Sequence, residues 1–200
     1  MQHKIQVMIS IICAALIFIA VCVILASNVK AYDGDPVRTN RQEALHTAAD
    51  ILRAVGFSED SAVIQAIKDA WNREQENLDI IAKVIQNEAD PAWCEWEHSV
   101  AVGVVILNRV ASPWFKGDTV REIVTAPGQY LESYTRNFDG TSRLAYLAAK
   151  AALDGDHDVP SDCYWQDTNV QGVSIWKSFE VRTDYFHSTT YICRGIVGVD

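Results

Sequence analysis

The chain has 200 residues, 49% of them apolar, and a formal net charge of −9. This length suits one globular domain with a short extension, and the apolar content is sufficient for a core, which argues against a disordered protein. The acidic balance argues against general nucleic-acid binding, because that function requires a basic face.

The N-terminal segment is strongly apolar. Between residues 5 and 26 the only polar side chains are Gln6 and Ser10. A run of about 20 apolar residues can cross a bilayer as a helix, and this run is long for a signal peptide. A cleaved signal is the alternative, because residues 29–31 fit the small-x-small cleavage pattern; a buried core helix is the third. Residues 1–31 are predicted to be a transmembrane anchor or signal segment that places the rest of the chain outside the cytoplasm.

A polar linker at residues 32–41 precedes a predicted helical lead-in at residues 42–76. The first lead-in helix stops at Gly56, and its apolar stripe has the helical period: Ala48, Ile51, Leu52 and Val55. The second lead-in helix is capped by Ser58, and its apolar side is formed by Val63, Ile64, Ile67 and Trp71.

The remaining residues, 77–200, are predicted to form the catalytic domain. Asn77 is expected to cap its first helix, whose apolar face comprises Leu78, Ile81, Val84 and Ile85. The apolar run at residues 100–110 suits a strand or a buried helix, and its length favours the helix.

A short helix is predicted at residues 118–124. Another is capped by Thr141 and followed by Gly155, with an inward face of Leu144, Leu147, Ala148, Ala151 and Ala152. Short strands are predicted at 164–165, 173–176 and 191–192. The sum is an α-rich α+β fold, helices first and a small sheet late.

Glu88 stands on the otherwise apolar stripe of the helix predicted to begin at Asn77. A carboxyl on a core-facing stripe is partly removed from water, which favours its protonated form. That is the form a general acid for glycosidic cleavage needs. Asp90-Pro91 follows, so the helix is expected to end near Glu88, where its dipole acts in the same sense.

Three cysteines follow the apolar segment: Cys94, Cys163 and Cys193. An oxidising compartment permits one disulfide among them, and Cys163–Cys193 is the preferred pair because both flank the last strand-like stretches. A zinc site is disfavoured because no C-x-x-C spacing occurs and His98, His157 and His187 show no ligand spacing. Neither a metal nor another cofactor is predicted.

Several motifs between residues 80 and 193 resemble the SleB-type cell wall hydrolases, the spore cortex-lytic enzymes. They begin with Ile85-Gln86-Asn87-Glu88-Ala89 and continue with Val105-Ile106-Leu107-Asn108-Arg109-Val110. Pro127-Gly128-Gln129-Tyr130 follows about twenty residues later, and Tyr191-Ile192-Cys193 comes last.

This resemblance implies a lysozyme-like fold and cleavage of the bond between N-acetylmuramic acid and N-acetylglucosamine in peptidoglycan glycan strands. It implies a lytic transglycosylase in which a single Glu, at the position of Glu88, is first acid and then base. Glu97 falls near a second Glu of the family and is the candidate second catalytic carboxylate, as a base or as a neighbour that tunes Glu88. Gln129 and Tyr130 would line the sugar cleft. Trp93 and Trp96, just past Glu88, are candidates for stacking on sugars.

Two other classes of function remain open. An amide-cleaving wall enzyme would need a nucleophile and a base, for which Cys94 and His98 are the only close Cys/His pair. A non-catalytic peptidoglycan-binding or scaffold module would keep the fold without turnover. Asn108 and Arg109, on the apolar helix, are expected to be structural, with Arg109 pairing a carboxylate.

Overall fold

The computed structural model describes residues 40–136, 140–183 and 186–197. The predicted anchor or signal segment, and all but the last two residues of the linker, lie outside these ranges. The chain divides into two compact units, Met1–Glu74 and Gln75–Asp200.

Within the described ranges, no helix combines the length and apolarity needed to cross a membrane.

The first unit contains helix α1, Asn40–Ala54, where a lead-in helix was predicted. Its predicted stripe is half right: Ala48 and Leu52 are buried, whereas Ile51 is 44% exposed and Val55 is 60% exposed. Three apolar residues that the prediction passed over complete the buried face instead: Ala44, Leu45 and Ala49.

Helix α2, Ala62–Glu88, runs without interruption through Asn77. The prediction that Asn77 begins a new helix is therefore wrong. No Gly or Pro occurs between residues 62 and 88, and strong helix formers dominate the segment, so one interior Asn does not end the helix. At the N-terminal end, Ser61 caps in place of Ser58: the Ile64 N–H donates to Ser61 Oγ at 3.3 Å. Val63, predicted to face inward, is 46% exposed.

The second unit continues with α3, Trp96–Ala111, then α4, Val120–Thr125, α5, Leu131–Thr135, and α6, Arg143–Asp154. Helix α3 settles the choice for residues 100–110 in favour of a buried helix. It packs against α4, α6 and the sheet, which explains why it is apolar on all sides: Val100, Ala101, Val102, Val104, Val105 and Ile106 are all buried.

Helix α6 begins one residue later than predicted. Its cap is Ser142, whose Oγ accepts from the Ala145 N–H at 3.1 Å, and Gly155 ends the helix in the left-handed conformation. The inward face is also turned relative to the prediction, since Leu144 is 45% exposed while Ala145 and Ala149 are buried.

Three antiparallel strands follow: β1, Cys163–Asp167, β2, Ser174–Thr183, and β3, Phe186–Arg194. Their order is β1-β3-β2, with β3 in the centre. The predicted short strands all fall within these longer ones, apart from Val173. The structure confirms the α-rich α+β class. The lysozyme-like fold that the resemblance implies stays a prediction.

The predicted Cys163–Cys193 disulfide is not formed: both residues are buried free thiols. They lie on neighbouring strands, but Cys163 is registered with Arg194 and Cys193 with Trp165, across a β-bulge. The two cysteines are therefore diagonal neighbours and not a directly facing pair.

Candidate active site

A cavity of about 560 Å³ lies beside the C-terminal end of α2. The sheet contributes polar side chains from β1, from the residue after it and from β3, together with Val181 of β2. The helix end, the following turn and the residue after α5 complete the wall. The lining residues are Asn87, Glu88, Trp93, Arg136, Gln166, Asp167, Thr168, Val181, Ser188 and Thr190.

Glu88 is the last residue of α2 and is partly buried. The apolar residues that precede it on its stripe are buried as predicted, which fixes the helix end against the core. Ser133 Oγ, on α5, donates a hydrogen bond to Glu88 Oε1. Asn87 Nδ2 donates to the Ser133 carbonyl at 2.8 Å. Helix α5 thus holds both the Asn87 side-chain amide and the Glu88 carboxyl at this end of α2.

The turn after Glu88 is held by Asp90, which is 7% exposed. Its Oδ1 accepts from the Ala92 N–H at 2.9 Å, and its Oδ2 accepts from Gln86 Nε2. Gln86 Oε1 in turn accepts from the Ser142 N–H at 2.8 Å. This network fixes the turn that brings Trp93 into the cavity wall.

Of the two predicted tryptophans, only Trp93 lines the cavity, where it is 46% exposed. Trp96 opens α3, is 47% exposed and is not among the lining residues. Glu97 lies in the first turn of α3, forms an ion pair with Lys177 of β2 and is likewise absent from the lining. The structure therefore brings Trp93 to Glu88 but does not place Glu97 in the same cavity.

Gln129 and Tyr130 lie behind the lining and not in it. Tyr130 is buried, and its hydroxyl donates to Gln166 Oε1 at 3.3 Å, so it supports a lining residue from beneath. Burial raises the pKa of Tyr130, the Arg109 guanidinium opposes this, and the nearby Glu88 carboxylate adds to it. Tyr130 therefore keeps its proton and remains a hydrogen-bond donor.

Arg109 is buried beside Tyr130 and holds this supporting layer together. Its guanidinium carbon lies 5.2 Å from the ring centres of both Phe115 and Tyr130. Its Nε donates to the Tyr164 carbonyl at 2.7 Å and its Nη1 donates to Gln129 Oε1. The structural role expected of Arg109 is present, but these two hydrogen bonds go to a carbonyl and an amide oxygen, and among the described residues it forms no ion pair with a carboxylate.

The comparison with known families bears on the elements just described. Residues 95–191 match the family model described as Cell Wall Hydrolase. The match supports a hydrolase that acts on the cell wall, with peptidoglycan as its substrate and an extracytoplasmic role. Neither the curated proteins nor the solved structures include a match to the chain.

The cell wall hydrolase match covers α3 and almost all of the sheet, and so includes the sheet side of the cavity. Glu88 and Trp93 precede residue 95. Their assignment therefore rests on the cavity geometry and on the residue-level resemblance, and not on the family match.

Cys94 and His98 do not form the pair that an amide-cleaving enzyme would need. His98 is fully buried, and neither of its ring nitrogens has a hydrogen-bond partner in the described part of the chain. Burial, with Asp90 and Glu95 adding to it, raises the pKa of the Cys94 thiol to about 11. A thiol of this kind is a poor nucleophile at neutral pH. Among the described residues, no group of three or more His, Cys, Asp or Glu side chains is placed to hold a metal ion.

The sequence did not predict the site residues that come from the sheet, from α5 and from the residue after α5. Arg136 and Asp167 are the charged side chains that join Glu88 in the lining. Ser133 was missed because α5 has only five residues and no clear periodicity. The Asp-Thr-Asn sequence at 167–169 is typical of a turn and was the available signal for Asp167.

Proposed function

We propose that the chain is a SleB-like lytic transglycosylase that cleaves the bond between N-acetylmuramic acid and N-acetylglucosamine in peptidoglycan. Glu88 is its general acid and then its general base. The observation that carries the proposal is the position of Glu88: its partly buried carboxyl lies in the wall of a cavity beside an exposed tryptophan. The family match to residues 95–191 and the residue-level resemblance around Glu88 support the substrate.

The chemistry needs one carboxyl group. The protonated Glu88 transfers its proton to the glycosidic oxygen, and the bond from that oxygen to the anomeric carbon breaks, with the electron pair passing to the oxygen. The resulting carboxylate then takes the proton of the muramyl 6-hydroxyl as that oxygen bonds to the anomeric carbon. The product is a 1,6-anhydro sugar, no water is consumed, and Glu88 returns to its acid form.

The surroundings of Glu88 suit these two roles. Ser133 fixes the direction of the carboxyl from one side, which keeps its free oxygen available to the cavity. Trp93 presents an exposed aromatic face of the kind that packs against the apolar face of a sugar ring. Glu97 remains a predicted catalytic residue, but its ion pair with Lys177 lies outside the lining.

The proposal assigns residues 77–200 to catalysis and residues 42–76 to a helical lead-in of separate role. Residues 1–31 would carry the catalytic part out of the cytoplasm, as an anchor or as a cleaved signal. The substrate in either case is the glycan strand of the cell wall.

The direct test is the variant Glu88→Gln, which keeps the size of the side chain and removes its acid. We expect release of soluble muropeptides from purified peptidoglycan to be abolished, with an unchanged far-ultraviolet circular dichroism spectrum. Glu180→Gln is the matched comparison, and we expect it to retain most of the activity because Glu180 pairs with Arg182 on β2 and does not line the cavity. Full activity of Glu88→Gln would overturn the proposal.

A further inference from the structure

Asp167 is a second carboxylate in the cavity that contains Glu88. It is the last residue of β1 and is partly buried, and its neighbours Gln166 and Thr168 also line the wall. Through Gln166 it adjoins the buried layer of Tyr130 and Arg109. Nothing in the sequence pattern assigned it a function, and the single-carboxyl chemistry described above does not use it.

The carboxylate of Asp167 is held in one orientation by the turn that follows β1. Its Oδ1 accepts from the Asn169 N–H at 2.9 Å, and its Oδ2 accepts from Gln171 Nε2 at 2.5 Å. Thr168 Oγ1 adds a weaker contact to Oδ1 at 3.3 Å. These bonds fix the rotamer, so the group cannot reorient freely when a ligand enters.

All of these donors are neutral, and the described residues contain no ion pair to Asp167. The bonds therefore position the charge without cancelling it. The backbone N–H of Asn169 needs one oxygen acceptor at this position, which an asparagine also supplies, and only the side-chain bond from Gln171 uses the second oxygen. The turn explains why the side chain has a fixed orientation. It does not explain why a side chain that faces a polar cavity should carry a negative charge.

Resting on the proposed function, we infer that Asp167 is a further catalytic residue, whose carboxylate stabilises the positive charge that develops on the cleaved sugar. When Glu88 protonates the leaving oxygen and the bond to the anomeric carbon breaks, the ring oxygen and that carbon share the positive charge. A negative charge already fixed in a partly dehydrated site lowers the free energy of that state without reorganisation. Asp167 forms no covalent bond and transfers no proton.

The test is Asp167→Asn, which keeps the Oδ1 acceptor of the turn and removes the charge. We expect kcat for muropeptide release to fall about 10- to 100-fold, comparable with or somewhat below the loss of one preorganised transition-state donor in other enzymes. KM should change little, because the charge acts on the transition state and not on the bound substrate. The control is Asp162→Asn, a carboxylate in the loop just before β1 that pairs with Arg194 and does not line the cavity; it should keep wild-type kcat.

Asp167→Glu separates charge from turn structure. It restores the negative charge on a longer side chain, so we expect it to recover part of the lost kcat even if its thermal midpoint falls with that of Asp167→Asn. The inference is overturned if Asp167→Asn has the wild-type kcat, or if Asp167→Glu is as inactive as Asp167→Asn. Activity in Glu88→Gln would defeat the proposed function itself, whereas an inactive Glu88→Gln beside a fully active Asp167→Asn would defeat only the role of Asp167.

Discussion

His98 lies wholly inside the second unit, although histidine is usually exposed or hydrogen-bonded. Its ring is stacked on Phe179, with the ring centres 4.8 Å apart, and neither nitrogen has a partner within the described residues. Burial lowers the pKa of His98 from 6.5 to about 4. The folded protein therefore holds this histidine neutral at any pH near neutrality.

This environment predicts an acid-sensitive stability. The unfolded chain binds a proton at His98 near pH 6.5, while the folded chain resists it down to about pH 4. His98 therefore does not lower the free energy of unfolding above pH 6.5. Below that pH the free energy of unfolding falls progressively, by up to about 3 kcal/mol at pH 4. Urea unfolding of His98→Phe at several pH values in this window should show a weaker pH dependence than the wild type.

The control for His98 is Leu144→Ala, which truncates an exposed side chain and changes no titratable group. This variant should keep the wild-type dependence of the free energy of unfolding on pH. If the free energy of unfolding depends on pH equally in His98→Phe and in the wild type, another group causes the acid sensitivity.

Single residues differed in how well the sequence predicted them. Glu88 and Trp93 could be placed near each other because they are five positions apart in the chain and a helix end lies between them. Asp167 and Ser133 could not, because their relation to Glu88 depends on contacts across 45 or more positions, as in the Ser133–Glu88 hydrogen bond. Local patterns contain no information about such partners.

At the scale of elements, the length of an apolar run predicted the buried helix α3, and periodicity predicted the apolar face that leads to Glu88. Periodicity was less reliable in other helices. It failed where small residues form the interface: in α1 and α6 the buried faces include alanines, while Ile51 and Leu144 face solvent. Alanine contributes little to an apolar stripe, yet it allows close helix contacts. Local signals also failed at Asn77, where a capping residue predicted a helix start but α2 continues without a break.

A close contact between helices occurs at Gly103 of α3. A Cβ added there would lie 2.9 Å from Ala152 Cβ on α6 and 3.1 Å from Ile81 Cγ2 on α2. Ala152 Cβ is attached directly to the backbone and cannot rotate away. Gly103→Ala should therefore destabilise the protein by about 1–2 kcal/mol, because overpacking outweighs the better helix propensity of alanine.

Chemical denaturation of Gly103→Ala measures this effect directly. Leu144→Ala is the matched control on α6, because Leu144 is 45% exposed and its truncation should change the free energy of unfolding by less than about 0.5 kcal/mol. A Gly103→Ala variant as stable as the wild type would mean that α3 and α6 do not approach as closely as described.

At the scale of the whole molecule, the class of fold was predictable from the order of helical and strand-like segments. The cavity was not, because its wall combines the end of α2, the following turn, the residue after α5 and all three strands. These segments come together only through packing of the second unit. The sequence pointed to Glu88, and the structure added Asp167 in the same cavity wall and the layer of Tyr130 and Arg109 behind it.

The proposed function depends on cleavage of the glycosidic bond by transglycosylation, with no water consumed. Digestion of purified peptidoglycan in water enriched in a heavy oxygen isotope, followed by mass spectrometry of the soluble products, tests it most directly. The proposed mechanism predicts that the wild type releases muropeptides lighter by one water than reducing products, with no heavy oxygen incorporated. Glu88→Gln should release no muropeptides. Heavy oxygen at a sugar reducing end would contradict transglycosylation, and heavy oxygen in a freed peptide carboxyl would contradict glycosidic cleavage altogether.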